Sequence, residues 1–242
     1  MSPELDDFAR ALAAVEARID WEALGELYCH EGGEAFFPPE QVAAMRESGL
    51  RIAGALGEEL ARLRGGVGRS LYVGAAVAEL VPLLVERHVL QREVVVVNLD
   101  NAESDALNRA FVLAESDSGL RMPRIRALDL TEVEGPFDHG WLVSVLNDPE
   151  AFPALHDQLY QRTGELATGR GDLDEERARA EALSEALLDR LTPQALLSTT
   201  DEELPVLRPL LARRKWGMQA SEDALLTGVV GDPLRFLRMR GA

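Results

Sequence analysis

Apolar positions in the first part of the chain, up to about residue 66, recur at helical spacing. Leu5, Phe8, Leu12, Val15 and Ile19 fall at i, i+3, i+7, i+10 and i+14 and share one stripe. Ser2-Pro3 ahead of them reads as an N-cap followed by proline at the first helical position, where its missing N–H would be unsatisfied anyway. The loop CHEGGEAFFPPE interrupts, and Pro38-Pro39 places the next helix start near Glu40. Val42, Met45, Ile52, Leu56, Leu60 and Leu63 then form a second stripe, which Gly65-Gly66 ends.

From residue 69 the period shortens and alternates. RSLYV reads as a short buried strand, and AELVPLLVERHVL as a helix with Pro82 in its first turns. EVVVVNLD, four consecutive valines bounded by charge, has the pattern of a strand buried on both faces. AESDALNRAFVLAE reads as a helix, RIRALDL as a strand, and PFDHGWLVSVL as another strand. Residues 149–191 turn helical again: Asp172 with Glu175 forms a capping-box pattern, and Leu183, Leu187 and Leu191 share one face behind it. ALLSTT is the fifth strand, followed by EELPVLRPLLARR, a helix that its two prolines are expected to break. MQASEDALLTGVV and LRFLRMR, joined at Gly231-Asp232-Pro233, predict an antiparallel hairpin closed by a tight turn. Strands alternating with helices imply a doubly wound, mostly parallel, Rossmann-like α/β sheet of seven strands with a C-terminal antiparallel hairpin. The helical region 1–66 is then an addition to a sheet domain spanning 67–242.

Composition narrows the function classes. The chain has 242 residues and a formal charge of −17, spread along its length. Nucleic-acid binders present a basic face, and only Arg213-Arg214-Lys215 offers even a short candidate, so nucleic acid is not an expected partner. Lys215 is the only lysine beside many arginines, a bias expected of a GC-rich bacterial genome. No uncharged apolar stretch approaches the ~20 residues a membrane span requires. The start MSPELDDFARAL carries acids where a secretory leader carries bases, and Cys29 is the only cysteine, so a cytoplasmic protein without disulfides is expected.

In a doubly wound sheet, ligands bind beyond the carboxyl ends of the strands near the switch point. That rule selects Gly74–Glu79, Asn98–Asn101, Asp129–Glu132 and Val145–Asp148. Asp100 and Asp129 are acids at strand ends, able to accept from a ribose diol or an adenine amino group, and Asp100 is equally well placed to cap the next helix.

The element order resembles a class I S-adenosylmethionine-dependent methyltransferase over residues 69–240. The resemblance rests on strand, glycine turn, helix; strand, acid, helix; strand, acid; Phe137-Asp138 opening the fourth strand; and the terminal hairpin. It implies S-adenosylmethionine as cofactor, held by Gly74 and Ala76 in the first loop, Asn98 or Asp100 at the ribose, Asp129 with Leu130 beside the adenine, and Val145 after the fourth strand. It also implies a small-molecule acceptor, with the helical region as a lid over it. The first motif departs from the family's acid–x–Gly–x–Gly–x–Gly: Tyr72 stands for the acid, and Ala76 and Ala78 for two glycines. Alanine there is expected to strain any turn that needs positive φ. The sequence fixes no catalytic group; His30, crowded by Tyr28, Cys29, Glu31 and Glu34, is the one candidate, and its spacing matches no metal site. The competing reading is an inactive descendant of the fold that serves as a binding or assembly subunit, with a homodimer as an open alternative.

Overall fold

The computed structural model describes residues 2–28, 36–63, 66–164 and 167–241. Three helices come first: α1 (Pro3–Glu16), α2 (Trp21–Tyr28) and α3 (Pro39–Ala61). Then follow β1 (Arg69–Val73), α4 (Leu80–His88), β2 (Glu93–Asn98), α5 (Ala102–Ser118), β3 (Ile125–Ala127) and β4 (Phe137–Leu142). The remainder is α6 (Pro153–Leu159), α7 (Leu173–Leu188), β5 (Leu191–Thr200), α8 (Leu204–Arg213), β6 (Gly217–Ala220), β7 (Leu225–Leu226) and β8 (Pro233–Arg240).

Seven strands lie in the order β3-β2-β1-β4-β5-β8-β6, and the two-residue β7 pairs with β8 off that path. The pairings from β3 through β5 are parallel, whereas β8 runs antiparallel to β5, β6 and β7. The order reverses between β1 and β4, which makes their carboxyl ends the switch point.

Strand alternation sends side chains into two cores. Tyr72, Val96, Trp141 and Leu196 join Val15, Ile52, Leu84 and Phe111 on one face, under α1, α3, α4 and α5. Leu71, Val97, Leu142 and Leu197 join Leu187, Leu207 and Leu211 on the other, under α7 and α8. The valine run of β2 therefore faces two covered sides, as its continuous apolar pattern implies. The N-terminal helices share the first core with the sheet.

Four local expectations are corrected. Helix α8 is unbroken: Pro205 lies in its first turn, and Pro209 forfeits one hydrogen bond while Leu204, Leu207, Leu210 and Leu211 stay buried. Leu191 opens β5 and does not extend the face of α7, which ends at Leu188. β5 also starts before ALLSTT, and its pairing with β4 is irregular between Phe137 and His139, opposite the stretch that contains Pro193, which has no N–H for the ladder. The closing hairpin has no two-residue turn. Its connection returns through β7, and the Thr227 and Asp232 backbones bond to each other (3.1 Å) while the Thr227 hydroxyl accepts from the Asp232 N–H (2.9 Å).

A charged network lies inside the first layer. Glu86 of α4 is fully buried and accepts from the Tyr72 hydroxyl at 2.6 Å and from the Ser70 hydroxyl. Arg92 bridges Glu86, at 2.8 Å, to Asp138, and His139 places Nδ1 2.8 Å from Glu86 and Nε2 2.9 Å from Ser198.

Candidate cofactor cleft

Val73 pairs with Val97 on one side and Leu142 on the other, so three strands end together. Gly74 follows, its N–H donating to the Val97 carbonyl at 2.8 Å. Its φ is +70°, and a Cβ on it would lie 2.6 Å from Val145 Cγ2. Glycine is required here for two independent reasons, conformation and space. The later alanines carry no such demand. Ala76 is extended (φ −128°), and Ala78 lies in a single 3-10 turn, Val77–Glu79, so the expected strain is absent.

Gly74, Ala76, Asn98 and Val145 converge at this point. The Asn98 side chain donates to the Ala75 carbonyl at 3.1 Å and its oxygen accepts from the Leu99 N–H. Asp100 does not cap α5. Asn101 does, accepting from the Ser104 N–H at 2.8 Å, and this leaves the Asp100 carboxylate exposed at the mouth of the cleft. Asp129 and Leu130 do not join the group. Asp129 accepts from the Thr131 hydroxyl and N–H, which hold its carboxyl below the usual range, and Leu130 packs into the second core. His30 lies outside the described residues.

The residues that fill the cleft come from elsewhere. Glu79 is buried and accepts from the Ala76 N–H at 2.8 Å. Glu103, in the first turn of α5, reaches back so that its Oε1 accepts from the Val77 N–H at 3.1 Å and from the Tyr28 hydroxyl at 2.5 Å. Tyr28, at the end of α2, is braced by Phe36 and Phe37, each with its ring centroid 5.1 Å away. Glu203 accepts from the Val145 N–H at 2.8 Å and fixes the loop beyond β4. An acid in the first turn of a helix reads in sequence as a dipole partner, so nothing there marked Glu103.

Burial pushes Glu79 up to about 8, helped by the charges of Glu103 and Glu203. Burial also raises Glu103, against its bonds from Tyr28 and Val77. A carboxyl whose native pKa is raised keeps its proton after the unfolded chain has released it near 4.5. Stability is therefore full below that value and falls until pH reaches the native pKa, by at most about 1.4 kcal/mol per pH unit and group. Glu79→Gln is expected to flatten the fall in stability between pH 5 and pH 8, measured by urea unfolding; an unchanged slope would show that Glu79 is ionised throughout.

The element order, the glycine turn at the switch point and the antiparallel closing strand decide the fold. The chain has the class I methyltransferase fold. No known family model matches the sequence, and no curated protein matches it. Solved structures similar to this chain include TrmN from Thermus thermophilus, with 16% identity over 78% of this chain and 48% of that one, TM-score 0.47. They also include the magnesium protoporphyrin IX methyltransferase of Synechocystis with S-adenosylmethionine bound, with 14% identity over 100% of both chains and a TM-score of 0.49. An O-methyltransferase from Bacillus cereus in complex with S-adenosylhomocysteine shows 12% identity over 93% of this chain and 99% of that one, TM-score 0.42. The chain thus spans about half the length of TrmN.

The methyltransferase-fold cleft can be tested against S-adenosylmethionine, which carries a cationic sulfonium and ammonium, a ribose diol and an adenine. The cleft is lined by carboxyl groups: Glu79, Glu103 and Asp148 act on one another or on Tyr28. Glu103 Oε2 and Asp100 accept nothing from the described residues and are suited to hydroxyl or ammonium donors. Leu99, 64% exposed between Asn98 and Asp100, offers an apolar face to a ring. The donor set fits the group. An open groove of about 290 Å³ lies elsewhere, along β2 and β3; its Arg69 and Glu93 pair with each other at 3.1 Å, and it holds none of these groups. Among the described residues no three His, Cys, Asp or Glu side chains are placed to hold a metal, and no helix is long and apolar enough to cross a membrane.

Proposed function

We propose that the chain is an S-adenosylmethionine-dependent methyltransferase acting on a small molecule. The observation that carries this reading is Gly74. It alone of the motif positions takes positive φ, it packs against Val145, and it turns the chain at the switch point between β1 and β4, where ligands of such sheets bind. The cofactor supplies an activated methyl group. Glu79 and Glu103 line the cleft with carboxyl oxygens, Asn98 fixes the first loop, and Leu99 with Asp100 borders the ring and ribose. Asp129 lies one strand further out, beyond Ala127, the register partner of Asn98, on the side where an adenine would lie. Methyl transfer needs alignment of acceptor and sulfonium and no obligatory acid or base. The helical region 1–66 serves as the wall through which Tyr28 reaches the cleft.

Charge supports a small acceptor. The net charge of −17 opposes a phosphate backbone, and two of the three bases in the basic run are paired within the fold: Arg213 with Glu181 and Glu185, and Arg214 with Asp189. One observation favours the reading as a non-catalytic binding subunit, namely that Glu79 and Glu103 already satisfy the Ala76 and Val77 amides.

Thermal unfolding with S-adenosylmethionine and S-adenosylhomocysteine separates the two. Ligand at 100 times its dissociation constant adds about 2.7 kcal/mol, which for a chain of this size raises Tm by roughly 5–10 °C. That rise is expected, and Gly74→Val is expected to abolish it. No rise at millimolar ligand would sink the methyltransferase reading and leave the binding subunit.

A further inference from the structure

Glu103 has a geometry that its place in α5 does not require. An acid in the first turn of a helix can satisfy the dipole from solvent, yet this side chain turns inward, bridges to the first loop at Val77 and takes the hydroxyl of a residue far away in sequence. Oε1 carries both bonds, and Oε2 accepts from no described residue. The bridge spans the gap between the loops after β1 and β2. Across it lies Tyr28, a neutral hydroxyl donor on an aromatic platform of Phe36 and Phe37. A sugar hydroxyl or an ammonium donates in the same way. The motif acid at β1 is replaced by Tyr72, whose hydroxyl is committed to Glu86 in the buried network, and it cannot serve the cleft.

We infer that Glu103 is the carboxylate that receives the cofactor's hydroxyl or ammonium donor, and that the Tyr28 hydroxyl competes with the cofactor for it. This rests on the reading of the cleft as an S-adenosylmethionine site. Tyr28 acts as an internal competitor that ties the N-terminal helices to cofactor entry: with Tyr28 on Glu103 the amide of Val77 and the acid are both satisfied, and the cofactor must exchange with the hydroxyl. Apparent affinity is then lowered by the fraction of molecules in which the contact is made. Sequence alone points to Asn98 or Asp100 for this role; Asn98 bonds to the Ala75 carbonyl, and Asp100 is exposed at the mouth of the cleft.

Isothermal titration of S-adenosylhomocysteine into the wild-type chain and three variants tests the inference. Tyr28→Phe keeps the aromatic platform and removes the donor; it is expected to bind about tenfold more tightly, the worth of a hydrogen bond to a charged group. Glu103→Gln is expected to bind at least tenfold more weakly. In Glu103→Gln the Tyr28→Phe change is expected to bring a smaller gain, because the hydroxyl then competes for a neutral amide oxygen, a weaker acceptor. Unfolding midpoints taken beside each titration show that the variants are folded. Repeating the series with 5′-methylthioadenosine, which has the ribose and lacks the amino acid, identifies the donor. A loss in Glu103→Gln with both ligands assigns a ribose hydroxyl, and a loss with S-adenosylhomocysteine alone assigns the ammonium. Equal affinity in wild type, Tyr28→Phe and Glu103→Gln would overturn the inference and leave the cofactor reading standing. Binding by Tyr28→Phe alone would support it in its strongest form. Failure of every form to bind, with all of them folded, would overturn both.

Discussion

Arg92→Met is expected to cost about 3–5 kcal/mol, because it leaves two buried carboxylates without their shared cation. Arg92 donates through Nε to Glu86 and to the Ser70 hydroxyl, and through Nη2 to Asp138 and the Arg69 carbonyl. Glu86 is fully buried and Asp138 nearly so, and neither can turn to water. For a chain of this length the loss corresponds to a fall in Tm of roughly 6–20 °C, read by calorimetry. Adding Glu86→Gln to the variant removes one stranded charge and is expected to recover part of the loss. A single variant within about 1 kcal/mol of wild type would mean that the pair is not ionised in the native state. Burial pushes Glu86 up, but His139 and the Ser70 and Tyr72 hydroxyls outweigh it and hold the group at about 2. The stabilisation is therefore complete above the ordinary carboxylate range near 4.5 and lost as pH falls toward 2.

This network also explains why the first motif departs from the family pattern. Tyr72 occupies the acid's place, and its side chain alternates away from the cleft into the first core, where it stacks on Trp141 at 5.0 Å and donates to Glu86. A fully buried acid would need a cation there, whereas a tyrosine needs only an acceptor. The strands, their parallel order and the Gly74 turn were legible because each is a local signal: a two-sided valine run, an alternation of periods, a glycine at a strand end. Asn98 and Val145 followed from the switch-point rule alone.

Tyr28, Glu79, Glu103 and Glu203 were not legible, for a common reason. Each acts on a backbone amide or side chain that only the fold brings near; Tyr28 and Glu103 lie 75 positions apart. Asp100 and Asn101 show the opposite limit. Both are good caps by type, and the choice of Asn101 depends on where β2 ends, a matter of one residue. Pro209 misled because the burial of Leu204, Leu207, Leu210 and Leu211 outweighs one lost hydrogen bond.

Glu203→Ala is the variant in which stability and the cleft are expected to fail together. One carboxylate oxygen accepts from the Val145 N–H at 2.8 Å and the Leu146 N–H at 3.3 Å. The other accepts from the Thr199 hydroxyl at 2.7 Å and from the Thr200 N–H and hydroxyl at 3.1 and 3.3 Å. These donors are buried at the ends of β4 and β5, and Ser144, with φ +56°, turns the chain so that Val145 meets Gly74. Stranding them costs about 3 kcal/mol or more, a fall in Tm of roughly 6–12 °C, and the freed loop is expected to weaken S-adenosylhomocysteine binding severalfold. Burial pushes Glu203 up to about 7 in spite of its five donors. The native protein then keeps a proton that the unfolded chain gives up near 4.5, so wild-type stability declines between those values more steeply than that of the variant, which lacks this group. The gap between them is expected to be wide at pH 5 and narrower at pH 8. A gap that stays constant over that range would mean that the donors outweigh burial, that Glu203 is ionised throughout, and that the floor of the cleft carries its full negative charge.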